Sequence, residues 1–421
     1  MGALKPVKVG LIGCGMIALR AYMPTIVRQY SMVDVVRCAD TVPERAKLFE
    51  EKFGAKASTV EEILSDPEIE VVLNLTYPTS HYEITERALN AGKHVHTEKM
   101  MSVAWEDGIA LSKLAEEKGL WYTQAPDTFL GGAWQTARKL IDDGAIGVPL
   151  ASFCLVTRGN MILGGERGKS TRRDLPQPEG GGDPMMRMMM GAGLPGNNPR
   201  TPAGSGLPFD MGGYYLHNLI NMFGNINRVS GYIKTNVTRN TSDDPLNEFY
   251  RSDIVNNEPD SLVGSLEFDS GVFGSIIFMS AMGGNMDQRF VVYGTEGILH
   301  CPDPNFFGGP VYVGTNAGKM PDFSKGFNGV PDAPMYEIPH MFGYLDESRG
   351  VGLMDLAFAV RNGRKPRCHN SMGLQSFEVV HGIIDSCTNN VNHKMVSKVE
   401  RPKAVASGAN RGLEQQIKFD D

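Results

Sequence analysis

No C-x-x-C pair occurs among the six cysteines, which lie scattered at positions 14, 38, 154, 301, 368 and 387. That usage suits small buried thiols in a reducing compartment and gives no disulfide framework. No apolar run is long enough to span a bilayer. The first strand-like residues begin near position 7, so no secretory signal is expected. Positive charge is also short: 41 Lys and Arg stand against 48 Asp and Glu, a net charge of −7. This removes the basic field that binding nucleic acid as the main partner would need. His94 and His96 alternate along a strand with no carboxylate or cysteine at ligand spacing, and His300-Cys301 meets the same objection, so no metal site is expected. A cytoplasmic protein with neither membrane nor nucleic-acid partner is expected.

What is present is ordinary globular material, 41% hydrophobic and 21% charged over 421 residues, enough for two or three domains. The chain is organised around its N-terminal stretch. Residues 7–12 are apolar and β-branched and read as a buried parallel strand. Gly13-Cys14-Gly15-Met16-Ile17-Ala18 follows and fits the G-x-G-x-x-G/A dinucleotide fingerprint at the start of a helix. Gly13 permits the tight turn, Gly15 lets a pyrophosphate approach the backbone, and Ala18 lets the helix lie close on the strand. A second apolar strand over 33–39 ends in Asp40, where the acidic residue that binds the adenosine ribose is expected. A third over 71–76 completes a β-α-β-α-β order.

Further along, Pro24 is expected to bend the helix over 19–29. Residues 43–53 read as a helix with proline near its start and Gly54 at its C-cap. A turn over 77–81 precedes a helix over 82–90. Strand four, 94–97, delivers Glu98 and Lys99 at its carboxyl end, where open α/β sheets place ligands. Residues 105–118 read as a helix and 121–125 as strand five. The second half turns antiparallel. Residues 262–268 and 272–278 flank Asp269-Ser270-Gly271 as a β-hairpin, and 289–299 form a strand pair around a Gly-Thr-Glu-Gly turn. Residues 352–361 and 373–388 return to helix. The boundaries read as 1–128 for the nucleotide domain, 129–400 for the second domain and 401–421 for a tail. The Gly-, Pro- and Met-rich insert 159–208 reads as a lid or a subunit-contact arm.

Ala91-Gly92-Lys93-His94-Val95-His96-Thr97-Glu98-Lys99, with the fingerprint and Asp40, resembles the signature A-G-K-H-V-x-x-E-K-P of the Gfo/Idh/MocA family. All but the terminal proline is present, and the resemblance extends over roughly residues 6 to 390. It implies an α/β Rossmann domain followed by an α+β domain with a large, mostly antiparallel open sheet through which the family self-associates. It also implies that Lys99 stands beside nicotinamide and substrate. The family's Lys-Pro bond is commonly cis. Here Met100 follows Lys99, and a cis bond before a non-proline residue costs about 2.5–4 kcal/mol, so a trans turn is expected.

The family's second motif is Asp-x-Gly-x-His. In Asp210-Met211-Gly212-Gly213-Tyr214 a tyrosine takes the last place, as in the glucose-fructose oxidoreductase branch, and His217 follows on nearly the same helical face. Oxidising a secondary alcohol needs a hydride acceptor, which nicotinamide supplies, and a base for the hydroxyl proton. An unperturbed phenol has a pKa near 10, so Tyr214 as base needs a neighbouring cation, for which Lys99 is the obvious group. Asp210 would hold Lys99 or orient His217. His217 is the rival base, with imidazole titrating near neutrality, or else a helix histidine bonded to a backbone carbonyl.

The remaining site residues follow from position. Met16, Ile17, Arg45, Thr76, Tyr77, Pro78, His81 and Glu98 should border NAD together with Gly13, Gly15, Asp40 and Lys99. Asp127 and Arg158 are the candidate substrate contacts. The expected activity is NAD-dependent oxidation of a secondary hydroxyl of a sugar or glycoside. The stretch 125–132 resembles members acting on anhydrosugars and at C3 of glycosides, C-glycosides included. The alternatives are a glycoside hydrolase that retains NAD and works by transient C3 oxidation, and a non-catalytic nucleotide-dependent sensor.

Overall fold

Val7–Ile12 forms β1, buried along nearly its whole length, as a continuous apolar run in a parallel sheet should be. The computed structural model describes residues 4–158, 206–236, 239–241, 253–255, 258–280, 287–315 and 334–406. In the first half, β2 (Val33–Ala39), β3 (Lys56–Ala57), β4 (Val71–Asn74), β5 (His94–Thr97) and β6 (Tyr122–Gln124) join β1. They form a six-stranded sheet in the order β3-β2-β1-β4-β5-β6, every pair parallel. The register lines up Ile12 with Asn74, Asn74 with Thr97 and Thr97 with Gln124. The turns after these four residues therefore stand along one edge. The order reverses at β1, so the crevice outside β1 and β4 is the topological switch point where such sheets bind ligands.

The crossover segments are α1 (Met23–Gln29), α2 (Pro43–Phe53), α3 (Val60–Ser65), α4 (Pro78–Asn90) and α5 (Trp105–Glu117). The helix expected over 19–29 is divided. Ala18–Tyr22 is a π-helical turn, closed by Met23 N–H on the Ala18 carbonyl, and α1 starts with Pro24 in its first turn. Pro24 has no N–H to extend a ladder backwards, so the change of winding falls at that point. The helix expected from Tyr82 starts four residues earlier, because Pro78 occupies its first turn and Tyr77 is extended as its cap.

Beyond α6 (Gly132–Asp142), β7 (Pro149–Thr157) opens the second sheet. The insert expected over 159–208 lies outside the described residues up to 205. Residues 206–208 already lead into α7 (Leu207–Phe223). The sheet then takes β8 (Ile226–Lys234), β11 (Ser261–Phe268), β12 (Phe273–Met279), β13 (Gln288–Gly294), β14 (Gly297–Cys301), β15 (Tyr312–Thr315), β16 (Met335–Glu337) and β17 (His393–Lys394). A separate short pair is made by β9 (Arg239–Thr241) and β10 (Asp253–Val255). The nine strands run β16-β15-β14-β13-β7-β12-β11-β8-β17, and only the β7–β12 pair is parallel. The hairpin read from Asp269-Ser270-Gly271 is β11–β12, with Ser265 opposite Ser275.

α8 (Val351–Asn362) and α9 (Asn370–Asn389) close the molecule. α8 returns to the first sheet, although its residues fall in the second of the expected domains. Arg361 donates to the carbonyls of Lys5 and Pro6 and pairs with Glu70. Tyr30 donates its hydroxyl to the Ser348 carbonyl just before α8. The first residues of the expected tail also pack, with Val405 N–H on Gln135, and 407–421 lie outside the described residues. All six cysteines are free thiols. Among the described residues no helix is long and apolar enough to cross a membrane, and no group of three His, Cys, Asp or Glu side chains is placed to hold a metal ion.

Candidate active site

The carboxyl edge of the first sheet carries a cradle that fits a dinucleotide. Gly13 has φ of +100°, and a Cβ there would lie 2.6 Å from the Leu75 backbone, so only glycine lets the fingerprint turn close on the turn after β4. A Cβ on Gly15 would meet nothing within 4 Å. Its backbone faces open space at the head of a helical segment, where amide N–H groups receive phosphate. Asp40 ties this turn to β2: its carboxylate accepts from Cys14 N–H and Val42 N–H, both at 2.8 Å, with Arg45 Nη1 at 3.6 Å. Ile17, at the head of the helical segment, and Tyr77, on the turn before α4, remain 38% and 60% exposed. Such apolar side chains beside an open backbone suit a nucleotide's rings and ribose.

The second cluster forms where α7 meets the end of β5. Every residue of α7 but Asp210 is buried, and the helix is wedged against α9, β12, β13 and the Ala125-Pro126 turn. A Cβ on Gly213 would lie 2.9 Å from the Pro126 ring, so this glycine allows the helix to approach that turn. The approach presents Asp210 and Tyr214, one helical turn apart, to Lys99. Lys99 Nζ donates to Asp210 Oδ1 at 2.5 Å and to the Asp210 carbonyl at 2.8 Å, and it sits 5.0 Å from the centre of the Tyr214 ring. Burial works against the Lys99 charge, but Asp210, Tyr214 and Glu98 outweigh it and raise its pKa, so the side chain stays an ammonium. From the other side Arg349 Nη2 donates to the Tyr214 hydroxyl at 3.4 Å and to Asn305 Oδ1 at 3.0 Å.

Residues 7–125 match the Gfo/Idh/MocA oxidoreductase family's NAD-binding Rossmann fold, and residues 185–300 match the family's C-terminal domain, together more than half of the chain. The chain belongs to the Gfo/Idh/MocA oxidoreductase family. An uncharacterised oxidoreductase of Schizosaccharomyces pombe is 24% identical over 300 residues, 70% of each chain. The inositol 2-dehydrogenase/D-chiro-inositol 3-dehydrogenase of Lactiplantibacillus plantarum is 31% identical over 149 residues, 34% of this chain and 42% of that enzyme. A levoglucosan dehydrogenase solved with NADH and L-sorbose shares the fold at a TM-score of 0.71 and 19% identity, over 94% of this chain and 100% of that one. The protein is thus an NAD-binding oxidoreductase of this family, with a Rossmann domain and a mixed, mostly antiparallel second sheet.

In this Gfo/Idh/MocA chain one expectation needs correction, and two of the expected site residues prove to be tied to the backbone. The Lys99–Met100 peptide is cis, where a trans turn was expected. The intrinsic preference behind that expectation does not decide a turn whose Lys99 N–H is held by Glu98 and whose Met100 carbonyl is held by His81. His217 is fully buried, its Nδ1 on the Pro126 carbonyl at 2.9 Å and its ring edge-on to Phe129. Burial lowers its pKa to about 4, so it is a neutral core imidazole near neutral pH. Asp127 is equally buried. Its Oδ2 accepts from Gly350 N–H and Gly352 N–H at the start of α8, and burial raises its pKa to about 6 against the pull of those amides and of Arg349. It clamps the start of that helix.

The other predicted residues form supports around the crevice. Glu98 accepts the Tyr22 hydroxyl at 2.6 Å and the Lys99 N–H at 3.1 Å, which binds the fingerprint helix to the lysine turn. His81 lies between the carbonyls of Thr76 and Met100 and joins the β4–α4 turn to the same place. Thr76 is held by Asn74, and Pro78 opens α4. Met16 is half-buried at the crevice. Arg158, half-buried at the end of β7, acts electrostatically on Asp303, whose carboxylate holds the N–H of Asn305. Arg349 and Asn305 were missed in sequence because neither sits in a motif. The only local signal was the charged run Asp346-Glu347-Ser348-Arg349 before an apolar helix.

Proposed function

We propose that this protein oxidises a secondary hydroxyl of a sugar, polyol or glycoside, reversibly, with Lys99 and Tyr214 at the reacting oxygen. The observation that carries this reading is Lys99, bonded twice to Asp210 and lying over Tyr214 at the edge that holds the dinucleotide cradle. An ammonium has three N–H donors. Asp210 takes two, and the third is left for the substrate oxygen. Lys99 so placed orients the alcohol and stabilises negative charge on its oxygen as the O–H bond breaks. Tyr214, one helical turn from Asp210, takes that proton on its phenolate oxygen and returns it in the reverse direction. Gly13, Gly15 and Asp40 would hold NAD in the cradle, and its nicotinamide would supply the hydride acceptor. Asp210 does not meet substrate in this scheme and fixes where the Lys99 charge stands.

The names of the relatives and fold neighbours, inositol and levoglucosan dehydrogenases among them, support a polyhydroxylated substrate. The resemblance of 125–132 to the glycoside-oxidising branch makes C3 of a glycoside the finer proposal. The outer face of the nine-stranded sheet exposes Tyr232 at 76% and Phe273 at 65%, along with Val263 and Tyr293. That face supports self-association through this sheet. The test is a panel of inositols, anhydrosugars, aldoses and glycosides incubated with NAD, reading NADH and product together. Stoichiometric NADH and ketone with at least one member is expected. Free sugar without net NADH selects the NAD-retaining hydrolase instead, and cofactor binding with no turnover of any member refutes the assignment.

A further inference from the structure

We propose that Arg349 is a second cation of the proton-transfer site, placed against the Tyr214 hydroxyl to stabilise the phenolate that receives the substrate proton. This rests on the reading of Tyr214 as the base and names a further catalytic residue for it. Lys99 addresses the ring of Tyr214, with Nζ 5.0 Å from its centre, and two of its three N–H groups are committed to Asp210. Arg349 addresses the oxygen itself, with Nη2 at 3.4 Å. Catalytic hydrogen bonds are often long before the reacting complex forms and tighten within it.

The guanidinium is built into place. Nη1 pairs with Glu347 Oε2 at 2.5 Å, and Nη2 also reaches Asn305 Oδ1 at 3.0 Å. The backbone just beyond is gripped by Asp127 through Gly350 N–H and Gly352 N–H. Buried Asp127 thereby acquires a purpose that its position at the sheet edge alone did not give. A planar fork can keep one nitrogen on a carboxylate and turn the other to a phenol, which an ammonium on a flexible stem does not reproduce. Burial opposes the Arg349 charge, but Tyr214, Glu347 and Glu98 raise its pKa further above the arginine range. Among the described residues, the charged and titratable groups that face this centre are Lys99, Asp210, Glu98, Glu347, Asp127, Tyr22 and His81, the last kept toward its neutral form by burial. Of these only Lys99 is a cation, so Arg349 supplies half of the positive charge.

The test uses the full-length protein and a substrate found with NAD. Arg349→Gln should lower kcat about 10- to 100-fold at neutral pH, the range spanned by losing one charge-assisted hydrogen bond. The acidic limb of kcat/KM should move up by about one pH unit, so activity returns in alkali. Millimolar guanidinium ion should restore part of the loss. Arg349→Lys, which keeps a charge without the fork, should fall between, and unchanged melting temperatures certify both folds. Tyr214→Phe combined with Arg349→Gln should be no slower than Tyr214→Phe alone. A raised KM with an unmoved pH limb and no rescue would overturn the proposal and leave Arg349 as a substrate-binding group. Full activity in Tyr214→Phe would instead sink the reading of Tyr214 as base, whatever Arg349 does.

Discussion

Replacing Lys99 by alanine removes the ammonium bonded to Asp210 at the proposed reacting edge. In the structure Lys99 Nζ is 2.5 Å from Asp210 and 5.0 Å from the centre of the Tyr214 ring. Unit charges roughly 3–5 Å apart at an effective dielectric near 20 interact by about 3–5 kcal/mol. That is the stabilisation an oxyanion bonded to Lys99 forfeits, a loss of about 10²–10⁴-fold in rate. The variant also leaves the Asp210 carboxylate unpaired beside Tyr214, which disfavours phenolate and adds to the loss. Lys99→Ala combined with Asp210→Asn should therefore recover part of the rate. The proposed cofactor cradle rests on Gly13, Gly15 and Asp40 and is not built on Lys99. Steady-state NADH formation should show kcat and kcat/KM falling together, the signature of an interaction made in the transition state. Fluorescence titration should give an NADH dissociation constant within about threefold of the parent, under 1 kcal/mol. A near-normal kcat, or an affinity for NADH that falls as far as the rate does, refutes the reasoning.

NAD should be preferred over NADP by at least about fivefold, since a 2′-phosphate near Asp40 meets a like charge costing roughly 1–4 kcal/mol. Arg45, 3.6 Å from that carboxylate, offsets part of it, so Arg45→Ala should widen the preference, and equal turnover with both cofactors would defeat it. Gly15→Ala should fold normally because nothing surrounds the added methyl group, yet weaken NADH binding by about tenfold or more by obstructing the pyrophosphate; unchanged NADH affinity would remove the cradle. His217 is held near a pKa of about 4 by burial, below the value near 6.5 of an unfolded histidine. Its contribution to stability is complete above pH 6.5 and is lost, up to about 3 kcal/mol, as pH falls from 6.5 toward 4. His217→Asn should accordingly be less stable than the parent at pH 8, with a gap in urea denaturation that narrows toward pH 4.5. A constant gap contradicts the burial argument.

The parts of this molecule legible in its sequence are those carried by short contiguous stretches. Gly13 to Ala18, the strand ending in Asp40 and the segment 91–99 each hold their chemistry within a few residues. Asp210 and Tyr214 could be paired with Lys99 only through the family's two motifs, because the contact joins positions 111 residues apart. Arg349 reaches Tyr214 across 135 residues and only because α8 returns to the first sheet, a path that no local pattern announces. Asp127 and His217 show what a local pattern leaves open. Both are polar and near the right edge in sequence, but Asp127 serves the start of α8 and His217 serves the Pro126 carbonyl. The burial and the partners of such a side chain depend on packing far along the chain. The start of α4 was misjudged for a local reason, since Pro78 reads equally as a turn residue and as the first turn of a helix.

The most direct test of the account is which side chain moves the proton. Tyr214→Phe and His217→Asn, each with full kcat/KM profiles against pH on a substrate turned over with NAD, decide it. Tyr214→Phe should lose about 10²–10⁴-fold in kcat, the usual range for general acid–base catalysis, while binding NADH normally. His217→Asn should keep the parent's profile between pH 5 and 8 and lose far less. A mild Tyr214→Phe beside an inactive, folded His217→Asn would contradict the account.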